Sequence, residues 1–355
     1  MKTVLLIGRS DHDNFGDSLI FAFYVKHYSS KGFKVNIYKA TDIFIKRIAE
    51  LGYDCSSVNS VVGSNLALFI GGGYFGEPDR KKAAWNKRFV ERNFFGIIAD
   101  DLVKHNVPYI IHGAEVGPLS SDTSRRIVSR VLASAKHVVV RNEASQSFIS
   151  KQFKLNASLK RDIIFGETSR FSKQDSNAQA SETHLVIHAT GKILRNNPFS
   201  RAFRRRIKHF IARELFSGAT ILFDQSTFPD LIPLAHRFSE EISQKGVRCS
   251  VLEYHGITQV LECLSSCTHI ITTKLHVGVV GLSYRKNVMC VSSMAKNTRF
   301  YNEVCGGKGI IGLVGFWAFR FRISSKHFAS HTDIDDLHYR SSLSYIDDLD
   351  IDSAF

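Results

Sequence analysis

The sequence predicts an α/β protein built from two Rossmann-like domains that face each other across a cleft. Three observations carry this expectation. Short apolar runs alternate with helical patterns, the signature of parallel strands covered by helices on both sides. A polar segment rich in Ser, Gln, Asn and charge, Gly166 to Thr183, interrupts the alternation, and a second series follows it. With 355 residues, 44% hydrophobic and 23% charged, the chain can build two cores of ordinary size.

The first series has strands at Val4 to Ile7, Val35 to Tyr38, Leu66 to Ile70, Tyr109 to His112 and Val138 to Arg141, with a long helix from about Ser18 to Ser30 after the first strand. The second has strands at His184 to His188, Ala219 to Phe223, Val247 to Leu252, His269 to Thr272 and Val288 to Val291. Domains are therefore expected at 1–165 and 184–312, joined by a linker at 166–183, with the tail 313–355 unassigned. Ligands of open α/β sheets bind beyond the carboxyl ends of the strands. Those ends read Asn14-Phe15-Gly16-Asp17, Gly71-Gly72-Gly73, His112-Gly113, Arg141, His188 to Lys192, Asp224 and Thr273-Lys274-Leu275-His276. They are polar, cationic or glycine-rich on an otherwise apolar scaffold, as a binding site would be.

Several motifs need weighing. Gly71-x-Gly73-x-x-Gly76 has dinucleotide spacing, but Glu77 and Asp79 place carboxylates where the next helix should begin and would repel a phosphate. Cys263, Cys267 and His269 invite a metal reading, yet no second ligand pair has zinc-site spacing, and a helix face buries small thiols as readily. No metal is expected. Six cysteines without a pattern, and no secretory leader at Met1-Lys2-Thr3-Val4, point to a reducing cytoplasm, including the inner face of the membrane. The stretch Gly309 to Phe319 is too short to span a bilayer. The net charge of +14 favours anionic partners, although no basic run interleaved with stacking aromatics marks a nucleic-acid module. The densest basic cluster, Pro198 to Phe216, reads as an amphipathic helix capped by Asn197. Phe199, Phe203, Ile207, Phe210, Ile211 and Leu215 form its apolar face, and Arg201, Arg204, Arg205, Lys208 and Arg213 lie elsewhere. Such a basic face is either simply solvated or able to touch an anionic membrane.

The strand-end motifs, taken in order, resemble the polysaccharide pyruvyl transferase family. They are Gly8 followed by Asn14-Phe15-Gly16-Asp17; Gly71-Gly72-Gly73; Gly113 with Gly117-Pro118-Leu119; Arg141-Asn142-Glu143-Ala144-Ser145, similar to the family's Arg-Asp-x-x-Ser; Asp162; Lys274-Leu275-His276-Val277-Gly278, similar to its Arg-Leu-His-Gly region; and Lys296. The resemblance covers about residues 1–305. Lys274 stands where the family usually has Arg, and Asn142 where it usually has Asp.

The resemblance implies a fold like that of the GT-B glycosyltransferases, with the acceptor on the N-terminal domain and phosphoenolpyruvate on the C-terminal one. It implies transfer of the enolpyruvyl unit onto two hydroxyls of a sugar or lipid-linked oligosaccharide, giving a cyclic pyruvate ketal in bacterial exopolysaccharide or capsule synthesis, with no cofactor beyond the donor. The triple glycine then looks like a strand-end turn whose backbone, at Gly72 and Gly73, approaches a ligand. A trianionic donor needs cations, for which Lys274, Lys296 and Arg141 are the first candidates and Arg195, Arg299 and Lys192 the next. His276, whose ordinary pKa of about 6.5 suits proton transfer near neutrality, is the candidate acid toward the methylene carbon, or else a hydrogen-bonded structural histidine. Asp13 or Asp17 could act as base; Asp17 could equally cap the first long helix, and Asn14 could serve a turn or sugar hydroxyls. His112 completes the candidate binding set. The alternatives are a nucleotide-sugar glycosyltransferase of the same architecture and a non-catalytic glycan-binding relative. The sequence does not indicate an oligomeric state.

Overall fold

The computed structural model describes residues 1–73, 75–76, 94–168, 183–226, 229–292, 294–312 and 322–334. They form two compact units, residues 1–12 with 17–163 and residues 13–16 with 164–334.

The first unit is a parallel sheet of β1 (Thr3–Ile7), β2 (Lys34–Tyr38), β3 (Ser56–Val58), β4 (Leu66–Ile70), β5 (Tyr109–Ala114), β6 (His137–Val140) and β7 (Ser158–Leu159), in the order β3-β2-β1-β4-β5-β6-β7. The helices α1 (Phe15–Ser30), α2 (Asp42–Ala49), α3 (Phe94–Lys104), α4 (Asp122–Ser134) and α5 (Glu143–Phe153) belong to this series. In the second unit the strands are β8 (His184–His188), β9 (Gly218–Leu222), β10 (Arg248–Leu252), β11 (His269–Thr272), β12 (Asn287–Val291) and β13 (Ile310–Ile311), ordered β10-β9-β8-β11-β12-β13. Its helices are α6 (Ile163–Glu167), α7 (Gly191–Leu194), α8 (Pro198–Glu214), α9 (Ile232–Ser243), α10 (Ile257–Ser266), α11 (Leu275–Ser283) and α12 (Ala295–Cys305).

Both sheets thus repeat one doubly wound order, with its reversal between β1 and β4 in the first unit and between β8 and β11 in the second. The central strands are apolar throughout because both faces are covered: every residue of β4 and β5 is buried. The predicted strands are found within one or two residues. The three that the sequence did not signal, β3, β7 and β13, are two or three residues long and lie at or beside sheet edges, where no continuous apolar run is required.

Three expectations are corrected. The segment expected as linker begins inside α6, whose Phe165 carbonyl accepts a hydrogen bond from Ser283 Oγ at 3.0 Å; residues 169–182 lie outside the described residues, as does the Glu77 to Asp79 stretch. In α8, Asn197 caps as expected, accepting from Ser200 N at 2.8 Å, with Pro198 in the first turn. Leu215, however, is not on the apolar face: it adopts a left-handed conformation after the helix and is 82% exposed. Arg204 is not part of a solvated face either, since its Nη1 donates to the carbonyls of Ile193, Leu194 and Arg195 at 2.9, 2.8 and 3.2 Å and its guanidinium lies over the Phe238 ring. Lys208 pairs with Glu241 at 2.8 Å. Part of the tail also belongs to the second unit: Ala329 bridges Val288, and Phe328 stacks on Phe210. Cys267 is fully buried with its thiol against the Leu264 carbonyl, and His269 sits between Phe216 and Phe328. Among the described residues no helix is long and apolar enough to cross a membrane.

Candidate functional site

In the second unit, the strand-end loops on either side of the sheet's reversal line a cavity of about 820 Å³. Thr190, Gly191, Arg195, Asn197, Pro198 and Ser200 come from the region after β8, Gln225 and Leu231 from that after β9, Thr273 and Lys274 from that after β11, and Met294 from that after β12. A parallel sheet diverges at its reversal point, so a crevice there follows from the topology. The Thr190 and Thr273 hydroxyls, both in its lining, lie 3.2 Å apart.

Lys274 takes its place through local backbone chemistry. Thr272 Oγ1 accepts from the Lys274 amide at 3.0 Å, a turn that ends β11 and leads into α11. The Lys274 ammonium binds both oxygens of Asp224, at 2.9 and 2.8 Å, while its side chain stays 31% exposed. Asp224 is buried, and His188 Nε2 lies 3.1 Å from its Oδ1, the oxygen that also accepts from Lys274 at 2.9 Å. Burial alone would raise the Asp224 carboxyl, but the adjoining His188 and Lys274 outweigh it and hold it well below the ordinary carboxylate range. Lys274 is therefore an ion-paired cation at the cavity wall, not a lone one.

The tetrapeptide 13–16 packs with this unit. Asn14 forms an antiparallel bridge with Gln225, its Nδ2 donates to Gln225 Oε1 at 3.3 Å, and the Phe15 amide donates to the Asp224 carbonyl at 2.9 Å. Asn14 Oδ1 accepts from the Gly16 amide at 3.1 Å, so Asn14 caps α1. The capping role considered for Asp17 is corrected: α1 starts at Phe15 and Asp17 sits within its first turn. Gly16 has an ordinary backbone, yet a methyl group there would overlap the His276 imidazole, which lies directly against it. That contact explains a glycine in the first turn of a helix, where alanine is otherwise favoured. His276 itself is the second residue of α11, two positions after Lys274 and, like Asp13, not among the residues lining the cavity. Asp13 is buried in the same segment. Lys296 and Arg299 lie in the first two turns of α12, half-buried and not among the residues lining the cavity. Arg195, which follows α7, is exposed and does line it. Lys192 lies in α7, its side chain outside the described residues.

The first unit presents its own strand-end cluster. Gly71 and Gly72 both have positive φ, 59° and 73°, a turn that excludes side chains. The Gly72 carbonyl accepts from the Glu115 amide at 2.9 Å, and exposed Gly73 lies beside the Glu115 carboxylate. Arg141, expected as a ligand cation, is corrected: it is 8% exposed and bonded to Glu115 at 2.7 Å and Asp162 at 3.5 Å. Asn142 caps α5 by accepting from Ser145 N at 2.8 Å, and Ser145 Oγ accepts from Val116 N at 2.9 Å. Asn and Asp cap about equally well, so the departure from the family's Asp leaves this joint intact. His112 is corrected as well. Its ring is fully buried in the sheet, 2.6 Å from the Tyr24 hydroxyl, and burial, with like charge from Lys160 and His27, pushes its pKa down to about 3.

Sequence reasoning noted Asp224 and His188 as strand ends without giving them roles, and it missed Glu115 and Gln225. The available signal was a carboxylate or amide just past a strand. Their partners are distant in the chain and could not be read from it.

Known structures share this fold at low identity. A putative UDP-N-acetylglucosamine 2-epimerase from Listeria monocytogenes matches with a TM-score of 0.59 at 8% identity, over 97% of this chain and 91% of that one. S. aureus MnaA, in a co-structure with UDP, gives 0.56 at 11% identity over 97% and 91%. The UDP-GlcNAc 2-epimerase from Methanocaldococcus jannaschii gives 0.54 at 11% over 96% and 98%. At such identities the likeness concerns the GT-B-like fold alone. Among curated proteins none matches the sequence significantly. The family model for polysaccharide pyruvyl transferases matches residues 14–293, from the Asn14 cap through the Lys274–His276 strand end to a point just short of α12. By that match, over most of its length, the chain belongs to the polysaccharide pyruvyl transferase family.

Proposed function

We propose that this protein transfers pyruvate from phosphoenolpyruvate onto two hydroxyls of one sugar, forming a cyclic ketal in polysaccharide synthesis. Family membership supports pyruvate transfer. The observation that carries the finer reading is the cavity at the reversal of the second sheet, where Lys274 and Arg195 bring cationic donors and Thr190 and Thr273 bring hydroxyls. In this reading Lys274 and Arg195 hold the phosphate and carboxylate, with Lys296 and Arg299 of α12 as further candidate cations.

His276 gives a proton to the methylene carbon, and positive charge develops at the adjoining carbon. A sugar hydroxyl adds there and loses its proton to a base, Asp13 or Asp17. The carbon–oxygen bond to phosphate then breaks, phosphate leaves with the electron pair, and the second hydroxyl closes the ring as its proton passes to the departing phosphate. One phosphoenolpyruvate and one diol give one ketal and one phosphate. A positioned acid contributes about 10²–10⁴ in rate, and fixed positive charge at the leaving oxygens adds to it. Asn14 remains a candidate contact for the saccharide. Exposed Arg201 and Arg205 on α8 would let the protein meet an anionic membrane that carries a lipid-linked acceptor.

The test is acceptor-dependent release of phosphate from phosphoenolpyruvate over a panel of glycans, with the pyruvate ketal detected on the product. The size of the cavity favours a second reading, since about 820 Å³ also accommodates a nucleotide sugar, the ligand class named for the epimerase relatives. Thermal protection by UDP-sugars, with none by phosphoenolpyruvate, would decide for it.

A further inference from the structure

Among the residues lining the cavity, Lys274 is the one that hydrogen-bonds the Asp224 carboxylate. The Asp224 side chain is 4% exposed, and its partners are the two Lys274 hydrogen bonds and the adjoining His188. His188 is fully buried, with Nδ1 3.3 Å from Thr272 Oγ1. A hydrogen on Nε2 is the arrangement that avoids setting a lone pair against the carboxylate. The backbone around Asp224 is held as well, by the Phe15 amide on its carbonyl and the Asn14–Gln225 bridge. The carboxylate is thus held by two hydrogen bonds from Lys274, with the buried His188 ring in close contact.

An ammonium has three N–H donors on a flexible four-carbon stem. Asp224 takes two of them, which leaves one that it does not use, on a side chain that is 31% exposed and lines the cavity. The pair carries no net charge, so it attracts an anion weakly from a distance. What it offers is the one N–H donor that Asp224 does not take.

We infer that Asp224 is a positioning residue for the donor subsite: it aims Lys274 at the anionic end of the donor, and His188 keeps the carboxylate in place. The inference rests on the reading above that Lys274 meets phosphoenolpyruvate. It opposes a simple electrostatic expectation, under which neutralising a carboxylate beside an anion site tightens the anion.

The experiment is a double-mutant cycle on the full-length protein, with phosphoenolpyruvate binding measured by calorimetry and donor KM and kcat measured on the best acceptor. Asp224→Asn is expected to weaken the donor about tenfold, with the loss falling on KM more than on kcat. Lys274→Ala is expected to weaken it about ten- to a hundredfold, and the double variant should match Lys274→Ala within about twofold, because a residue that acts through Lys274 has nothing left to lose. Tighter or unchanged binding in Asp224→Asn, or additive losses, overturns the inference while the proposed function stands. No effect of Lys274→Ala overturns both. Should Asp224→Asn fail to fold, His188→Gln keeps the ion pair but removes its backing; about a threefold rise in the donor constant supports the inference and an unchanged constant overturns it.

Discussion

Two strand-end ion clusters, one in each unit, begin from the same sequence signal and end in opposite environments. In the first unit Arg141 follows β6 and is 8% exposed, bound between the carboxylates of Glu115 and Asp162. In the second, Lys274 follows β11, binds one carboxylate, and keeps 31% of its side chain exposed on the wall of a cavity. A basic residue after a strand is thus not a ligand-binding cation by position alone. Where carboxylates outnumber the cation and close over it, the cluster is a joint of the fold. Where the cation binds one carboxylate and keeps part of its side chain on a cavity wall, it can serve a ligand.

The strongest way to break this comparison is to remove Arg141. Arg141→Leu leaves two buried carboxylates without their shared cation and should cost about 3–5 kcal/mol of stability, read as a lower denaturation midpoint. If it instead folds normally and loses only phosphoenolpyruvate binding, Arg141 is a ligand cation after all.

For the second unit, His276→Gln should fold normally and lose about a hundredfold in turnover, as removal of a transition-state acid requires. Gly16→Ala should lose activity in the same assay, because its methyl group displaces the imidazole. Turnover unaffected in both would take His276 out of the mechanism.

The third test uses pH. The His112 pKa is pushed from 6.5 to about 3 in the folded protein, so the unfolded chain binds this proton first. Its contribution is complete above about pH 6.5 and falls away as pH drops toward 3, by about 2 kcal/mol at pH 5. A His112→Gln variant should show a correspondingly flatter stability profile between pH 7 and 5 in chemical denaturation. An unchanged slope would mean that the ring is charged inside the sheet.

Smaller effects would sharpen the picture. Lys274→Arg retains the charge and adds N–H donors in a planar fork, so it should keep the Asp224 pair and match or improve donor affinity within a few-fold. A loss as large as that of Lys274→Ala would mean that the cavity is shaped around the shorter ammonium. Least of all, Arg205→Glu should leave turnover on a soluble acceptor unchanged and weaken sedimentation with anionic vesicles at low salt by about twofold. Equal sedimentation would remove the membrane from the proposal.

By itself the sequence determined the alternation of strands and helices, the two-series organisation and the family. These depend on local periodicity and on short motifs: the apolar runs of β4 and β8 must be continuous because both faces are covered, and Asn197 must cap because Pro198 follows it. It could also place Lys274 and His276 beside a strand end. Only the tertiary structure decided what each strand-end residue does. Asp224 lies 50 positions from Lys274, Glu115 lies 26 from Arg141, and Tyr24 lies 88 from His112. The charge state and freedom of a side chain are set by the groups within a few ångströms of it, and which groups those are depends on strand order, which brings together chain segments that no local pattern relates.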